Sequence, residues 1–264
     1  VIPRFYVPQS LAIGQSIALP EAVANHAIRV LRLQPGDPLV LFNGEGGAFV
    51  GRLAEREFAT QAPFPKKQRE SRNSRQTVAD VILEEFQPDD RASSLQVTLW
   101  QGISAAERMD YTWQKSVELG VHRCIPIETR RCVTRLDASR AEKRHVHWQG
   151  VIVSAAEQCG LNRLPELVPV QTLTQALAMP VGPGLRVMLD PDATESFPVW
   201  LERQQGLMAL TILIGPEGGF APEEIAAAQA AGFLCFRLGP RVFRTETAGP
   251  VALAVTQAIA GDLR

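Results

Sequence analysis

The chain has 264 residues, 45% hydrophobic and 21% charged, with a formal net charge of −1. That length allows one large domain or two modest ones, and no apolar run approaches the ~20 residues of a membrane span. Four scattered cysteines, at 124, 132, 159 and 235, favour reduced thiols over a disulfide framework, and "VIPRFYVPQS" lacks the apolar core of a signal peptide, so the expected location is cytoplasmic. Residues 1–150 carry a net charge of +3 and residues 151–264 a net charge of −4, and arginine supplies 23 of the 27 basic residues. Arginine suits phosphate contacts and base stacking. Genomic composition bias produces the same excess, so the count alone decides nothing.

Residues 1 to about 60 read as short strands, "FYV", "SIAL", "PLVLFNG" and "GAFVGRLAE", separated by Pro, Gly and Asn turns. One helical piece, "EAVANHAIRVLR", interrupts them, with Val23, Ala27, Val30 and Leu31 on one face and His26, Arg29 and Arg32 beside or opposite it. Residues 61–94 look less regular. "APFPKKQRESRNSR" sets Lys66, Lys67, Arg69, Arg72 and Arg75 against one acid, Glu70. This basic loop near 61–76 is either a solvated segment or an arm for RNA phosphates. A boundary is expected near 88–94, giving domains 1–90 and 91–264.

Beyond it, strands and helices alternate. "LQVTLW" reads as a strand, and Ser104 with Glu107 as a capping box for a helix ending at Gly120. "CIPIET" is the next strand. Ser139 with Glu142 makes a second capping box, for a helix with Trp148, Val151, Ile152, Ala155, Ala156 and Cys159 on one face and a stop at Gly160. "LRVMLD" and "LTILIG" are almost fully apolar strands, as a sheet covered on both faces requires. "FRLG" is a further candidate, and "AGPVALAVTQAIAGDL" is the last helix. The order predicts an α/β fold with a mainly parallel sheet.

Two loops stand out. "LIGPEGGF", Leu213 to Phe220, runs from a strand through glycines toward the helix opened by Pro222-Glu223-Glu224. It lacks the Lys and Ser/Thr of a phosphate loop and the spacing of a dinucleotide fingerprint. A glutamate at its centre suits a cationic or zwitterionic ligand, although a plain strand-to-helix turn has the same form. "LGPRVFRTETAGP" also follows a strand, with Thr247 as the expected N-cap, and crowds Arg241, Arg244, Glu246 and Thr247 between apolar elements. No metal-ligand spacing is met by His122, Cys124, Cys132, His145 or His147, so no metal is expected.

Together, "LIGPEGGF" and "LGPRVFRTETA" resemble the paired signature of the ribosomal RNA uridine-N3 methyltransferases of the RsmE type, in the SPOUT superfamily. "QGISAAERMDYTWQKSVELGV", with Lys115, Glu118 and Gly120, and "PIETRRC" and "SAAEQCGLNRLPEL" are similar too. "PRFYV" and "HAIRVLRLQPGD" resemble the family's N-terminal RNA-binding barrel. One departure is Leu161, where the family often has arginine.

The resemblance implies a small PUA-like β-barrel followed by a SPOUT α/β trefoil-knot methyltransferase domain. It implies S-adenosyl-L-methionine as cofactor, small-subunit (16S) rRNA as substrate, free or within the 30S subunit, and a homodimer. The implied cofactor residues are Leu189, Asp190, Ile214, Gly215, Glu217, Gly218, Gly219, Leu238, Gly239, Arg241, Val242, Phe243 and Thr247. Implied catalytic candidates are Arg244, Glu246, Arg130 and Arg163, and RNA contacts fall to Arg4, His26, Arg29, Arg32, Lys115 and Arg131. Arg130, Arg131, Arg135, Arg140, Lys143 and Arg144 form either an RNA-facing stripe or a solvated face. The alternatives are a superfamily enzyme acting on ribose 2′-O or a purine, or a noncatalytic RNA-binding relative.

Overall fold

The structure is a computed structural model that describes residues 2–54, 79–180, 182 and 184–263. The basic stretch 61–76 lies outside the described residues. The chain forms two compact units, one of Val1–Arg91 with Gly160–Arg163, the other of Ala92–Cys159 with Leu164–Arg264.

The first unit is a five-stranded sheet, β1 (Arg4–Tyr6), β2 (Ser16–Ala18), β3 (Pro38–Phe42), β4 (Ala48–Leu53) and β5 (Asp80–Gln87), in the order β1-β3-β4-β5-β2. The β1–β3 pair is parallel and the others antiparallel. Alternation drives it: Val81 and Leu83 of β5 are buried while Ile82 and Glu84 face out. The expectation of irregular chain over 61–94 therefore fails at β5, whose period-two pattern had been grouped with the basic stretch before it.

Helix α1 (Glu21–Asn25) covers the core and continues into a wider turn, His26–Val30, in which the Leu31 N–H reaches the His26 carbonyl at 2.9 Å. That extra residue rotates the later side chains by about 100°, one residue's turn. Of the face expected to hold Val23, Ala27, Val30 and Leu31, Ala27 is buried, but Val30 and Leu31 are 67% and 43% exposed, and Ala24 is buried in their place.

The second unit is a parallel sheet of β6 (Gln96–Gly102), β7 (Arg123–Glu128), β8 (Glu166–Leu167), β9 (Gln171–Thr172), β10 (Leu185–Leu189), β11 (Ala209–Ile214) and β12 (Leu234–Phe236). The order is β12-β10-β11-β6-β7-β8, with β9 also on β7. One face carries α2 (Ala106–Glu118), α3 (Ala138–Cys159) and α7 (Thr245–Ala260), and the other carries α4 (Leu173–Ala178) and α6 (Pro222–Ala230). A short α5 (Phe197–Leu201) packs on α7. Trp100 and Met188 point to the α4/α6 side with Phe233, while α2 meets α3 through Trp113 and Trp148, edge to face at 6.3 Å. Strands buried on both faces explain the unbroken apolar runs.

Local details differ from expectation. Helix α2 starts one residue late for a Ser104 cap: Ala105 holds the N-cap position, and the buried Ser104 hydroxyl makes no hydrogen bond among the described residues. Helix α3 is capped by Asp137, whose Oδ1 accepts the Arg140 N–H at 2.9 Å, so Ser139 lies inside the helix. The last strand is Leu234–Phe236 rather than "FRLG", because Arg237 bonds instead to Glu195 and Phe197. Thr247 is not a cap, since α7 already begins at Thr245. Asp137→Ala is expected to lower unfolding stability by about 1 kcal/mol, read as a lower urea midpoint at unchanged slope, while Ser139→Ala stays within about 0.5 kcal/mol of wild type.

Candidate active site

Three adjacent parallel strands, β12, β10 and β11, end side by side, and the loops that leave their carboxyl ends enclose one cavity of about 620 Å³. This edge of a parallel sheet is where α/β folds hold ligands. The first loop is held by the Asp190 N–H on the Phe236 carbonyl and by Asp190 Oδ1 accepting the Asp192 N–H. The second turns tightly at Pro216–Gly219, the Gly219 N–H bonding the Pro216 carbonyl with Gly219 at φ +66°. The third leads into α7.

A buried polar relay holds these parts together. Gln101 Nε2, at the end of β6, donates to Thr245 Oγ1 at 2.7 Å, and Thr245 Oγ1 donates to the Gly215 carbonyl at 2.6 Å. Strand β6, the start of α7 and the glycine loop are thereby fixed to one another. Gly102 beside it has no room for a side chain, since a Cβ would lie 2.7 Å from the Gly215 carbonyl carbon.

The glutamate of the glycine loop has a structural partner. Glu217 Oε1 accepts from Arg108 Nη1 at 2.8 Å and from the Ala105 N–H, at the start of α2, at 3.3 Å. Arg108 Nε also lies 3.7 Å from Glu246 Oε1. Glu246 Oε2 is buried and, among the described residues, has no hydrogen-bond partner. Below the loop, Glu224 accepts the Arg130 N–H with Oε1 at 2.8 Å and the Ala221 N–H with Oε2 at 2.9 Å. This clamps the Arg130–Arg131 segment against α6.

Of the residues proposed for the cofactor, Leu189 and Asp190 line the cavity from the first loop, Ile214, Gly215, Glu217, Gly218 and Gly219 from the second, and Leu238, Gly239, Arg241, Val242 and Phe243 from the third. Thr247 is not among the lining residues. Gly218 is needed for a different reason than close approach to a ligand: a Cβ there would meet the Arg131 carbonyl oxygen at 2.9 Å, whereas Gly219 and Gly239 face open space. Arg244, Glu246 and Arg131 also line the cavity. Arg130 does not; its guanidinium pairs with Glu223.

Arg163 belongs to the first unit, where it pairs with Asp90 at 3.2 Å. Arg4, in the same unit, lies over Phe42 and donates to Asn162. His26, Arg29 and Arg32 are exposed there, with His26 edge-on to Phe5. Leu161 is buried, a position where arginine would need a partner. Lys115 pairs with Glu118 on α2 and lies outside the cavity lining. Of the basic stripe, Arg135 pairs with Glu128, a hydrogen bond that raises its already high pKa, and Arg140 pairs with Asp137. Sequence reasoning missed Arg108, Gln101, Thr245 and Glu224. The one available signal was the acid at 217, which a glycine loop must neutralise or hydrate.

Comparison with known proteins agrees with this geometry. Residues 91–257 match the family described as an RNA methyltransferase domain, and residues 19–59 match an RNA methyltransferase PUA domain. The chain is 30% identical, over 99% of its length and 98% of the relative's, to ribosomal RNA small subunit methyltransferase E of Buchnera aphidicola subsp. Schizaphis graminum. The chain belongs to this methyltransferase E family. The protein of the same name from Mycobacterium bovis is 35% identical over 86% of this chain and 80% of its own. Among solved structures, a Legionella pneumophila methyltransferase in complex with bound S-adenosylmethionine aligns with a TM-score of 0.87, at 33% identity over both whole chains. The Neisseria gonorrhoeae methyltransferase E bound to S-adenosylmethionine aligns at 0.85, also at 33% identity and full coverage of both chains. Among the described residues, no helix is long and apolar enough to cross a membrane, and no cluster of three His, Cys, Asp or Glu side chains is placed to hold a metal.

The relay gives the site a measurable dependence. Thr245→Val keeps the shape but leaves Gln101 Nε2 without its hydroxyl acceptor and the Gly215 carbonyl without its donor. A loss of about 1–3 kcal/mol is expected, read as a lower denaturant midpoint, with weaker retention of ligands in the cavity.

Proposed function

We propose that this chain transfers a methyl group from S-adenosylmethionine to N3 of a uridine in small-subunit ribosomal RNA. The observation that carries the reading is the cavity itself. It combines bare backbone at Gly219 and Gly239, an apolar wall from Leu189, Ile214 and Phe243, and a carboxylate oxygen on Glu246 that is buried without a partner among the described residues. Its volume of about 620 Å³ suits one small molecule. The lining sets Asp190, Asp192, Glu217 and Glu246 against Arg108, Arg131, Arg241 and Arg244, a wall of mixed charge that suits a ligand carrying a sulfonium, an ammonium and a carboxylate. Leu189, Ile214, Leu238, Val242 and the backbone of the glycine loop would hold the cofactor, which supplies an electrophilic methyl when bound.

The residues supply the rest. N3 of uracil carries a proton, and its lone pair becomes nucleophilic only as that proton leaves. Glu246 Oε2 is the acceptor in this scheme. As the proton leaves, negative charge develops on O2 and O4 of the base, which calls for cationic donors. Arg244, exposed at the entry to α7, is the first choice. It makes no ion pair among the described residues, because Glu246 is turned to Arg108 instead. Arg131, which lines the cavity and donates to the Gly218 carbonyl at 3.3 Å, is the second.

The proposal includes a trefoil knot in the C-terminal third, a homodimer in which either subunit contributes arginines to the RNA groove, and a cytoplasmic location. The first unit serves as the RNA grip, with exposed His26, Arg29 and Arg32 and the basic stretch 61–76. Residues 1–90 and 91–264 act as the RNA-binding and methyl-transferring parts.

The test is nucleoside mass mapping after incubation of the chain with S-adenosylmethionine and small-subunit rRNA, free and within the 30S subunit. The expected product is N3-methyluridine. A methylated purine or ribose 2′-O product would refute the N3 assignment, and absence of transfer would refute the activity. Arg244→Lys keeps the charge but loses the planar fork. It is expected to lower turnover by about 10²-fold, with the calorimetric affinity for S-adenosylmethionine little altered.

A further inference from the structure

Arg108 stands outside the two glycine-rich loops, on the first turn of α2, yet it lines the cavity and meets a carboxylate from each loop. The two contacts differ. The one to Glu217 is a 2.8 Å hydrogen-bonded ion pair, reinforced because the same oxygen accepts the Ala105 N–H of the same helix start. The one to Glu246, at 3.7 Å, is electrostatic only. Glu217 therefore anchors the guanidinium, and the anchored guanidinium faces Glu246 Oε1. Among the described residues no other cation pairs with Glu246, and its Oε2 has no partner. The three side chains are between 16% and 37% exposed, so their fields are less screened than those of surface pairs. Without Arg108, Glu217 and Glu246 would be two like charges on one cavity wall.

We infer that Arg108 is a positioning residue: it engages one oxygen of Glu246 and so presents the other to the base being methylated. The inference rests on the methyltransferase reading above. Arg108 touches neither substrate nor cofactor in this role; it acts through Glu246, and Glu217 acts through Arg108.

The experiment uses the whole chain with small-subunit rRNA and S-adenosylmethionine, and compares Arg108→Met, Arg108→Lys, Glu246→Gln and the double variant Arg108→Met/Glu246→Gln. Arg108→Met is expected to lower kcat by about 10²-fold with KM for RNA changed by less than about threefold, the pattern of an interaction used in the transition state. Arg108→Lys recovers part of that loss, because charge returns without the fork. The double variant should be no more than about threefold slower than Glu246→Gln alone, since residues that act as a unit are non-additive. A denaturant-unfolding cycle on the wild type, Arg108→Met, Glu246→Gln and the double variant, without cofactor, should show coupling between the two positions.

Unchanged kcat in Arg108→Met, a rise in KM alone, or two losses that simply multiply would overturn the inference. If Arg108→Met does not fold, the cycle is run with Arg108→Lys, and the same non-additivity decides. A wild-type chain that transfers no methyl overturns the methyltransferase reading, and the inference falls with it. A competent wild type with an unaffected Arg108→Met overturns the inference alone.

Discussion

The hydroxyl of Thr245 accepts from Gln101 and donates to the carbonyl of Gly215, joining segments up to 144 positions apart through two short hydrogen bonds, the first buried and the second partly buried. Each of these groups would be costly to bury alone. The relay is satisfied only when β6, the glycine loop and the start of α7 stand in one arrangement, and that arrangement opens the cavity. Gly102 and Gly249 serve the same fit. A side chain at Gly102 would strike the glycine loop, and one at Gly249 would press on Gln101 and Leu99 of β6. The close approach of helix to sheet thus precedes any consideration of ligand.

On this frame the acidic residues divide into two kinds. Glu224 and Glu217 satisfy backbone N–H groups and hold basic residues in place, as a rigid wall requires. Glu246 differs, because one of its oxygens is buried with nothing bonded to it among the described residues. A buried carboxylate oxygen without a partner is destabilising, and such defects collect where a ligand completes them. A glutamate in a glycine loop therefore need not face the ligand. Here it braces the arginine that faces the other carboxylate.

Much of the second unit was legible because its signals are local. Apolar runs mark β10 and β11, and Gly120 and Gly160, both at positive φ, end α2 and α3 where expected. What failed also has local causes. Ser104 and Ser139 each precede a glutamate by three residues, but Asp137 was the better-placed cap for one helix, and Glu217, distant in sequence, met the N-terminus of the other. The wider turn at His26–Val30 moved Val30 and Leu31 off the buried face, which no α-helical period can register. The family signature drew attention to the two loops. Arg108 lies far from both in sequence, and only the folded chain shows that it joins them.

The distribution of charge now has a physical account. The second half of the chain is acidic overall, an unexpected balance for a surface that meets RNA. Several of its acids hold arginines of the first 150 residues: Glu166 holds Arg123, Glu223 holds Arg130, and Glu217 holds Arg108. Cations held this way contribute little net field and lose few counterions on binding a phosphate. Of the basic residues of the second unit with no ion pair among the described residues, Arg131, Arg241 and Arg244 line the cavity. Three arginines without acid partners among the described residues thus stand at the site, where a base that develops negative charge would need them. An excess of arginine in the sequence is thus a poor guide to where RNA lies, because pairing with acids decides which arginines are available.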